Sequence, residues 1–321
     1  MDQLRVGILD FSNVNPVVST VVQRLSGGKA GRAFNPNRRL QEAIKAQGHR
    51  PVVYKVENCQ MFFDIRRAEI LYENKMVKGC DVLLPRLDFC EGIDLEISII
   101  KQFQLMGIPV INKYLPIARA KNKLRTMQVL TKMRIPVPKT IVIRRFEYLD
   151  NAVKKVGGYP IIIKSPFGTE GREVVIIESR RSLYSALDII WKQSQSGIIL
   201  IQEYISEATG SDYRAFVVGD RVVASMKRTA PEGDFRSNLS LGGYAVPVKL
   251  SSEEESLAVR ATRVLGLDVC GVDILRGRSG PVILEMNANP GLEGISNVTG
   301  IDVAGEMIRY AVLVANKNMR K

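Results

Sequence analysis

Residues 271–292 read GVDILRGRSGPVILEMNANPGL. Two short apolar runs flank a tight turn at Arg278-Ser279-Gly280, which is the pattern of a β-hairpin. Asp273 falls on the first strand, and Glu285 and Asn287 on the second. Val282-Ile283-Leu284 favours a strand, and residues two apart on a strand share a face, so Glu285 and Asn287 project together. The hairpin brings Asp273 alongside them. Two carboxylates and an amide oxygen are hard donors that suit Mg²⁺, which is held by one or two carboxylates together with substrate phosphates. Surface carboxylates on an ordinary hairpin would give a similar pattern. An acid flanked by apolar runs on both strands, however, is costly to bury unless something compensates it.

The 321 residues allow two or three structural units, at roughly 100–200 residues per domain. The chain starts MDQLRVGILDF, already strand-like and without a basic-then-apolar leader, and no apolar run reaches the roughly 20 residues of a membrane span. Cys59, Cys80, Cys90 and Cys270 lack CxxC or CxxH spacing and read as reduced thiols of a cytoplasmic protein rather than a zinc site. Lysine and arginine exceed aspartate and glutamate by 13. The excess is spread along the chain in short pairs such as Arg38-Arg39 and Arg180-Arg181, with no basic stripe interleaved with aromatics. It argues for anionic small substrates more than for nucleic acid.

Three units follow from the patterning. Short β-rich runs at 4–9, 51–56, 81–84 and 108–111 alternate with helical patterns at 37–47 and 94–106, as in a small α/β unit with a parallel sheet. Its 26–36 insertion, SGGKAGRAFNP, reads as a loop, and a single helix is expected over 115–133. A second unit holds strands at 140–143, 160–165 and 174–177 and a helix at 182–193. A third is expected to open with the strand at 198–205 and to continue with the strand pair 213–219 and 221–229, turned at Gly219-Asp220. Helix 252–265, the hairpin and helix 302–315 close it. The boundaries are 1–113, 114–196 and 197–321.

Lys164 ends an apolar strand and runs into Ser165-Pro166-Phe167-Gly168-Thr169-Glu170-Gly171. A strand-end lysine beside glycines that let backbone N–H groups approach an anion is what a nucleotide phosphate needs, although a plain hairpin turn has the same look. No GK[ST] ending is present, which excludes a Walker loop. Gln202-Glu203-Tyr204-Ile205 follows an apolar strand against which an adenine can lie, with Glu203 placed for ribose hydroxyls; an ordinary strand end reads alike. Asp212-Tyr213-Arg214 and the 233–238 stretch GDFRSN add polar groups. His49, the only histidine, sits in a helix-end context and reads as structural, so a Ser-His-Asp triad is not expected.

In order, the chain carries a helix lysine (Lys123), the strand lysine with its glycine loop, QEYI, SDYRAFVVGDRVV, GDFRSNLSLGG, GVDILR and LEMNANPGLEGI. This series resembles the ATP-grasp ligases, specifically the RimK group of amino-acid ligases, from Ile117 to Tyr310; the first unit matches more loosely through NRRLQEAIKAQGH and PRLDF. The resemblance implies an α/β ATP-grasp fold with an N-terminal parallel-sheet domain, a small middle lid domain and a C-terminal mixed-sheet domain. It implies that Lys123, Lys164, Gly168 and Gly171 meet the ATP phosphates, that Gln202, Glu203, Tyr204 and Asp212 form the adenine and ribose pocket, and that Arg236, Ser237 and Asn238 lie beside the γ-phosphate and the reacting carboxylate. Arg236 and Asn238 would be the catalytic pair, and Asp273, Glu285 and Asn287 would hold two Mg²⁺ ions, with Mn²⁺ as a substitute.

The chemistry so implied is carboxylate–amine ligation. ATP converts a carboxylate to an acyl phosphate, the amine of an amino acid, L-glutamate first among candidates, attacks it, and ADP and phosphate leave. The acceptor would be a carboxylate-bearing peptide or small molecule, and a homo-oligomer, a tetramer among relatives, is expected. The contrasting reading is a catalytically silent ATP-binding module associated with ribosome or RNA. Two positions depart from the family pattern: Arg172-Glu173 in the glycine loop, and Asn289 where serine is frequent, close to the metal donors.

Overall fold

The computed structural model describes residues 3–11, 35–87, 93–165, 174–193 and 197–320. β1 (Arg5–Asp10), β2 (Arg50–Lys55), β3 (Cys59–Phe63), β4 (Ala68–Tyr72), β5 (Lys75–Met76) and β6 (Val82–Arg86) belong to the first unit. The order β2-β1-β6 is parallel throughout, with Val6 between Pro51 and Val82. Val6 and Ile8 face a core shared with the last helix, whereas Leu9 joins Phe11, Ile100 and Phe103 on the other side. Such two-sided burial explains why β1 and β6 read as unbroken apolar runs. Helix Pro36–Ala46 starts where Asn35 accepts hydrogen bonds from the N–H groups of Asn37 and Arg38, with proline in the first turn. His49 is structural, its Nδ1 accepting from the Leu4 N–H at 3.3 Å.

Two expectations are corrected here, and one further segment acquires strands. The 57–79 segment, unassigned from sequence, forms an antiparallel sheet of order β3-β4-β5. The strand expected at 108–111 reduces to a single parallel bridge between Leu83 and Val110. The single helix expected over 115–133 is two, Tyr114–Ala120 and Lys123–Lys132. The break is made by Asn122, whose side chain accepts from the N–H groups of Leu124 (3.0 Å) and Arg125 (3.2 Å). An internal N-cap is invisible to hydrophobic periodicity, which runs across it.

The middle sheet consists of β7 (Thr140–Ile143), β8 (Ile161–Lys164), β9 (Val174–Ile177) and β10 (Ile199–Glu203), in the antiparallel order β7-β10-β8-β9. β10, expected to open the third unit, therefore lies inside the second one. Its residues Ile199 and Ile201 pack with Ile143, Ile161, Ile163 and Leu149. A fully apolar strand carries no mark of which sheet it will join.

The last sheet comprises β11 (Ser211–Val218), β12 (Arg221–Thr229), β13 (Tyr244–Pro247), β14 (Val269–Gly277) and β15 (Gly280–Asn287), ordered β13-β12-β11-β14-β15 with every pairing antiparallel. The mixture of parallel and antiparallel sheets lies between units rather than within this one. Helix Ser252–Leu265, opened by a Ser251/Glu254 capping box, covers one face, and helix Val303–Met319 covers the other. Asn112 joins first and last units. Its Nδ2 donates to the carbonyls of Val269 (2.7 Å) and Ala288 (2.8 Å), and its Oδ1 accepts from the N–H groups of Asp268 (2.7 Å) and Val269 (2.9 Å). No helix among the described residues is long and apolar enough to cross a membrane.

Candidate active site

A cleft between the middle and last sheets is lined by Lys123, Lys164, Gln202, Glu203, Tyr204, Asp212, Arg236, Ser237, Asn238, Asp273 and Glu285. These are all of the site residues expected from sequence except Gly168, Gly171 and Asn287. Gly168 and Gly171, with Arg172-Glu173, lie outside the described residues.

Lys164 ends β8 and is buried, and its Nζ donates to Gln202 Oε1 at 2.8 Å. Gln202 Nε2 donates to Thr140 Oγ1 at 2.7 Å, and Thr140 spends its own proton on the Pro138 carbonyl at 2.9 Å. The chain of donors leaves one orientation for the amide, with its oxygen toward the lysine. Burial, reinforced by the nearby charge of Lys123, pulls the Lys164 pKa down to about 8, although Glu285 works in the opposite sense. Lys123, in the first turn of its helix, lies 3.9 Å from Glu285 Oε1. Two lysines thus converge on one wall from different elements.

The apolar lining of the cleft is contributed by Ile162, Val174, Ile205, Leu275 and Leu284. Glu203 accepts from the Lys139 N–H at 3.1 Å, and Tyr204 donates to Thr209 Oγ1 at 3.1 Å. Arg236 is held by Asp234, Nη2 to Oδ2 at 2.8 Å, and this pairing draws the Asp234 carboxyl down to about 2. Asp234 therefore fixes the guanidinium that sequence reading assigns to the γ-phosphate.

The floor is an ion network that sequence reading missed. Arg228 binds both oxygens of Asp212 at 2.6 Å and reaches Asp273 Oδ2 at 2.9 Å. Arg214 closes on Asp273 from the other side, with Nη2 to Oδ2 at 2.8 Å and a second bond from Nε. Burial opposes ionisation of Asp273, but the two guanidinium groups outweigh it and lower its pKa; Asp212 is raised by burial, against the pull of Arg228. The alternation along β11 and β12 places Asp212, Arg214 and Arg228 on one face, but only sheet pairing brings them to Asp273.

On the hairpin, Asp273 and Glu285 are direct cross-strand partners, and Asn287 stands opposite Gly271. Asp273 and Glu285 line the cleft. Asn287 follows on the face of Glu285 and accepts from the Asn289 N–H at 2.9 Å through Oδ1. The donor types fit Mg²⁺, three hard oxygens with the half-exposed Glu285 open to the cleft, and an ion there would share Asp273 with Arg214 and Arg228, which already bind both of its oxygens. Among the described residues no three His, Cys, Asp or Glu side chains group closely enough to hold an ion alone. The hairpin therefore supplies a partial shell, of the kind that substrate phosphates complete.

Residues 120–311 match the model of the RimK-like ATP-grasp domain, and residues 31–117 that of the RimK PreATP-grasp domain. The chain belongs to the RimK-like ATP-grasp family. A probable alpha-L-glutamate ligase of Maridesulfovibrio salexigens is 42% identical over 274 residues, 84% of this chain and 89% of the relative. One from Saccharophagus degradans is 40% identical over 294 residues, 89% of this chain and 96% of the relative. Among solved structures, the ATP-grasp ligase PsnB complexed with minimal precursor superposes with a TM-score of 0.71 at 19% identity, covering 98% of this chain and all of that one. A RimK domain protein from Sphaerobacter thermophilus gives 0.67 at 20% identity, covering 96% and 99%. At these identities the solved structures show the shared fold. This ATP-grasp ligase has its cleft where its own sheets meet; the sequence alone does not point to Arg228 or Thr140, and it gives Arg214 and Asp234 only as polar groups without their partners.

Proposed function

We propose that this ligase joins L-glutamate, through its amine, to a carboxylate carried by a peptide or small molecule, at the expense of ATP. The observation that carries the reading is one cleft lined by two lysines, an anchored arginine and a carboxylate pair, beside an apolar wall fit for a purine. Lys123 and Lys164 hold phosphate oxygens, and the apolar wall with Glu203 and Tyr204 takes the nucleoside. Asp212 and Asp273 are balanced by Arg214 and Arg228, Arg236 is paired with Asp234 and Lys123 lies beside Glu285, whereas Lys164 is hydrogen-bonded to the neutral amide of Gln202 and brings its charge to the cleft.

The substrate carboxylate attacks the γ-phosphoryl group, ADP departs, and the amine then displaces phosphate from the acyl phosphate. Arg236, held by Asp234, presents a guanidinium to the charge that spreads over phosphoryl oxygens, and Ser237 and Asn238 line the same wall. Two Mg²⁺ ions, with Mn²⁺ as a substitute, would be held by Asp273, Glu285 and Asn287 and would neutralise phosphate charge when bound. The reading also carries a first functional unit at 1–113, a cytoplasmic setting and a homotetramer.

Phosphate release from ATP with Mg²⁺, a panel of amino acids and candidate acceptors, followed by mass spectrometry of the products, tests the proposal. A mass increase of one or more glutamyl residues is expected. Absence of ATP turnover with every acceptor would refute it.

A further inference from the structure

Arg86 is the last residue of β6, at the C-terminal edge of the parallel sheet, the edge outside which open α/β sheets bind ligands. Only 8% of it is exposed. Its Nη2 donates to the Pro290 carbonyl at 3.2 Å, its Nε has no partner, and among the described residues no carboxylate pairs with it. Arg228, equally buried, has two carboxylates. A guanidinium taken out of water without a counter-ion is costly, and burial here draws its pKa down to about 10.

The same turn holds a second unfilled group. Asn289 Nδ2 donates to the Leu87 carbonyl, while its Oδ1 is buried without a partner. Because Arg86 reaches Pro290 and Asn289 reaches Leu87, residues 86–87 and 289–290 are cross-linked side by side. Asn289 also donates its N–H to Asn287, one of the candidate metal donors. A cationic donor and an amide acceptor, both unfilled and both next to that hairpin, are the complement of an α-amino acid. Its carboxylate suits the guanidinium, which binds oxygen pairs, and its amine suits the amide oxygen.

We infer that Arg86 and Asn289 form the subsite for the amine-donating amino acid, with Arg86 on the α-carboxylate that is not activated. The inference rests on the ligase reading and adds what that reading lacks. A carboxylate held by Arg86, on the first unit, is kept apart from Lys123, Lys164 and Arg236, which serve the phosphates. It therefore stays unreacted while its own amine is presented.

Calorimetric titration of L-glutamate and of its α-amide, each in the presence of ADP and Mg²⁺, tests this on the full chain. The wild type should bind glutamate about 100-fold more tightly than the α-amide, the scale of losing one buried charge pair. Arg86→Gln should bind the two equally and weakly, Arg86→Lys should keep part of the preference, and ADP affinity should stay within about twofold in both variants. A preference retained in Arg86→Gln, or a wild type that does not discriminate, overturns the subsite. Failure of the wild type to bind ADP would overturn the ligase reading as well.

Discussion

Arg228→Met removes the side chain on which the floor of the cleft depends. Its guanidinium, 5% exposed, joins Asp212 and Asp273, themselves 7% and 5% exposed. Removing one partner of a buried ion pair costs about 3–5 kcal/mol, because a charge is left in the interior without compensation. Here two carboxylates lose a partner and only Arg214 remains, so the upper part of that range is expected, a large share of the roughly 5–15 kcal/mol that holds a native protein together. The pH dependence carries a definite sign. In the wild type, Asp273 has a lowered pKa, so its contribution is present above the unfolded value near 3.9 and lost as pH falls through the folded one. In the variant both carboxylates are buried with less compensation and their folded pKa values rise, so the deficit is full at neutral pH and fades as they take up protons. Urea denaturation followed by circular dichroism at pH 7 and pH 4.5 measures both quantities. The two proteins should converge toward the lower pH, and Asp212→Asn should restore part of the loss at pH 7. A deficit below about 1 kcal/mol at pH 7, or one equal at the two pH values, would refute the argument.

Further outcomes are expected. Glu285→Gln keeps urea stability within about 0.5 kcal/mol, since the side chain is 43% exposed, but removes Mg²⁺-dependent ATP turnover; a variant that still turned over ATP would sink the metal assignment. The KM for ATP rises above pH 8 as Lys164 loses its proton, and Gln202→Leu, which takes away its acceptor, moves that rise to lower pH; an unmoved profile would show that Gln202 does not control the lysine. Asn122→Ala costs about 1 kcal/mol by chemical denaturation and raises the KM for ATP, because Lys123 sits in the turn that Asn122 caps. Asp234→Asn lowers kcat more than it raises the KM for ATP if Arg236 serves the transition state, and the reverse split would count against that role.

The sequence by itself determined what depends on local pattern and chemical type. The strand lysine, the QEYI stretch, the 271–292 hairpin with its turn and the helix over 252–265 all appear where residue periodicity places them. The structure places most of the expected site residues on one cleft, because each carries its signal in its own neighbourhood. What stayed hidden was long-range. Arg228 and Arg214 carry no sign of their partners until antiparallel pairing sets them against Asp212 and Asp273, 16 and 59 positions away. The affiliation of β10 was hidden because an unbroken apolar strand fits any interior sheet. The break at Asn122 was hidden because a cap acts through one hydrogen-bonding side chain while periodicity averages over many. Arg86 is the sharpest case. In the sequence it is one of many basic residues, and only burial at a sheet edge, beside a turn 204 positions away, makes it a cation in need of an anion. Periodicity fixes which face a residue occupies, whereas desolvation and pairing, which set charge and reactivity, are decided by segments distant in the chain.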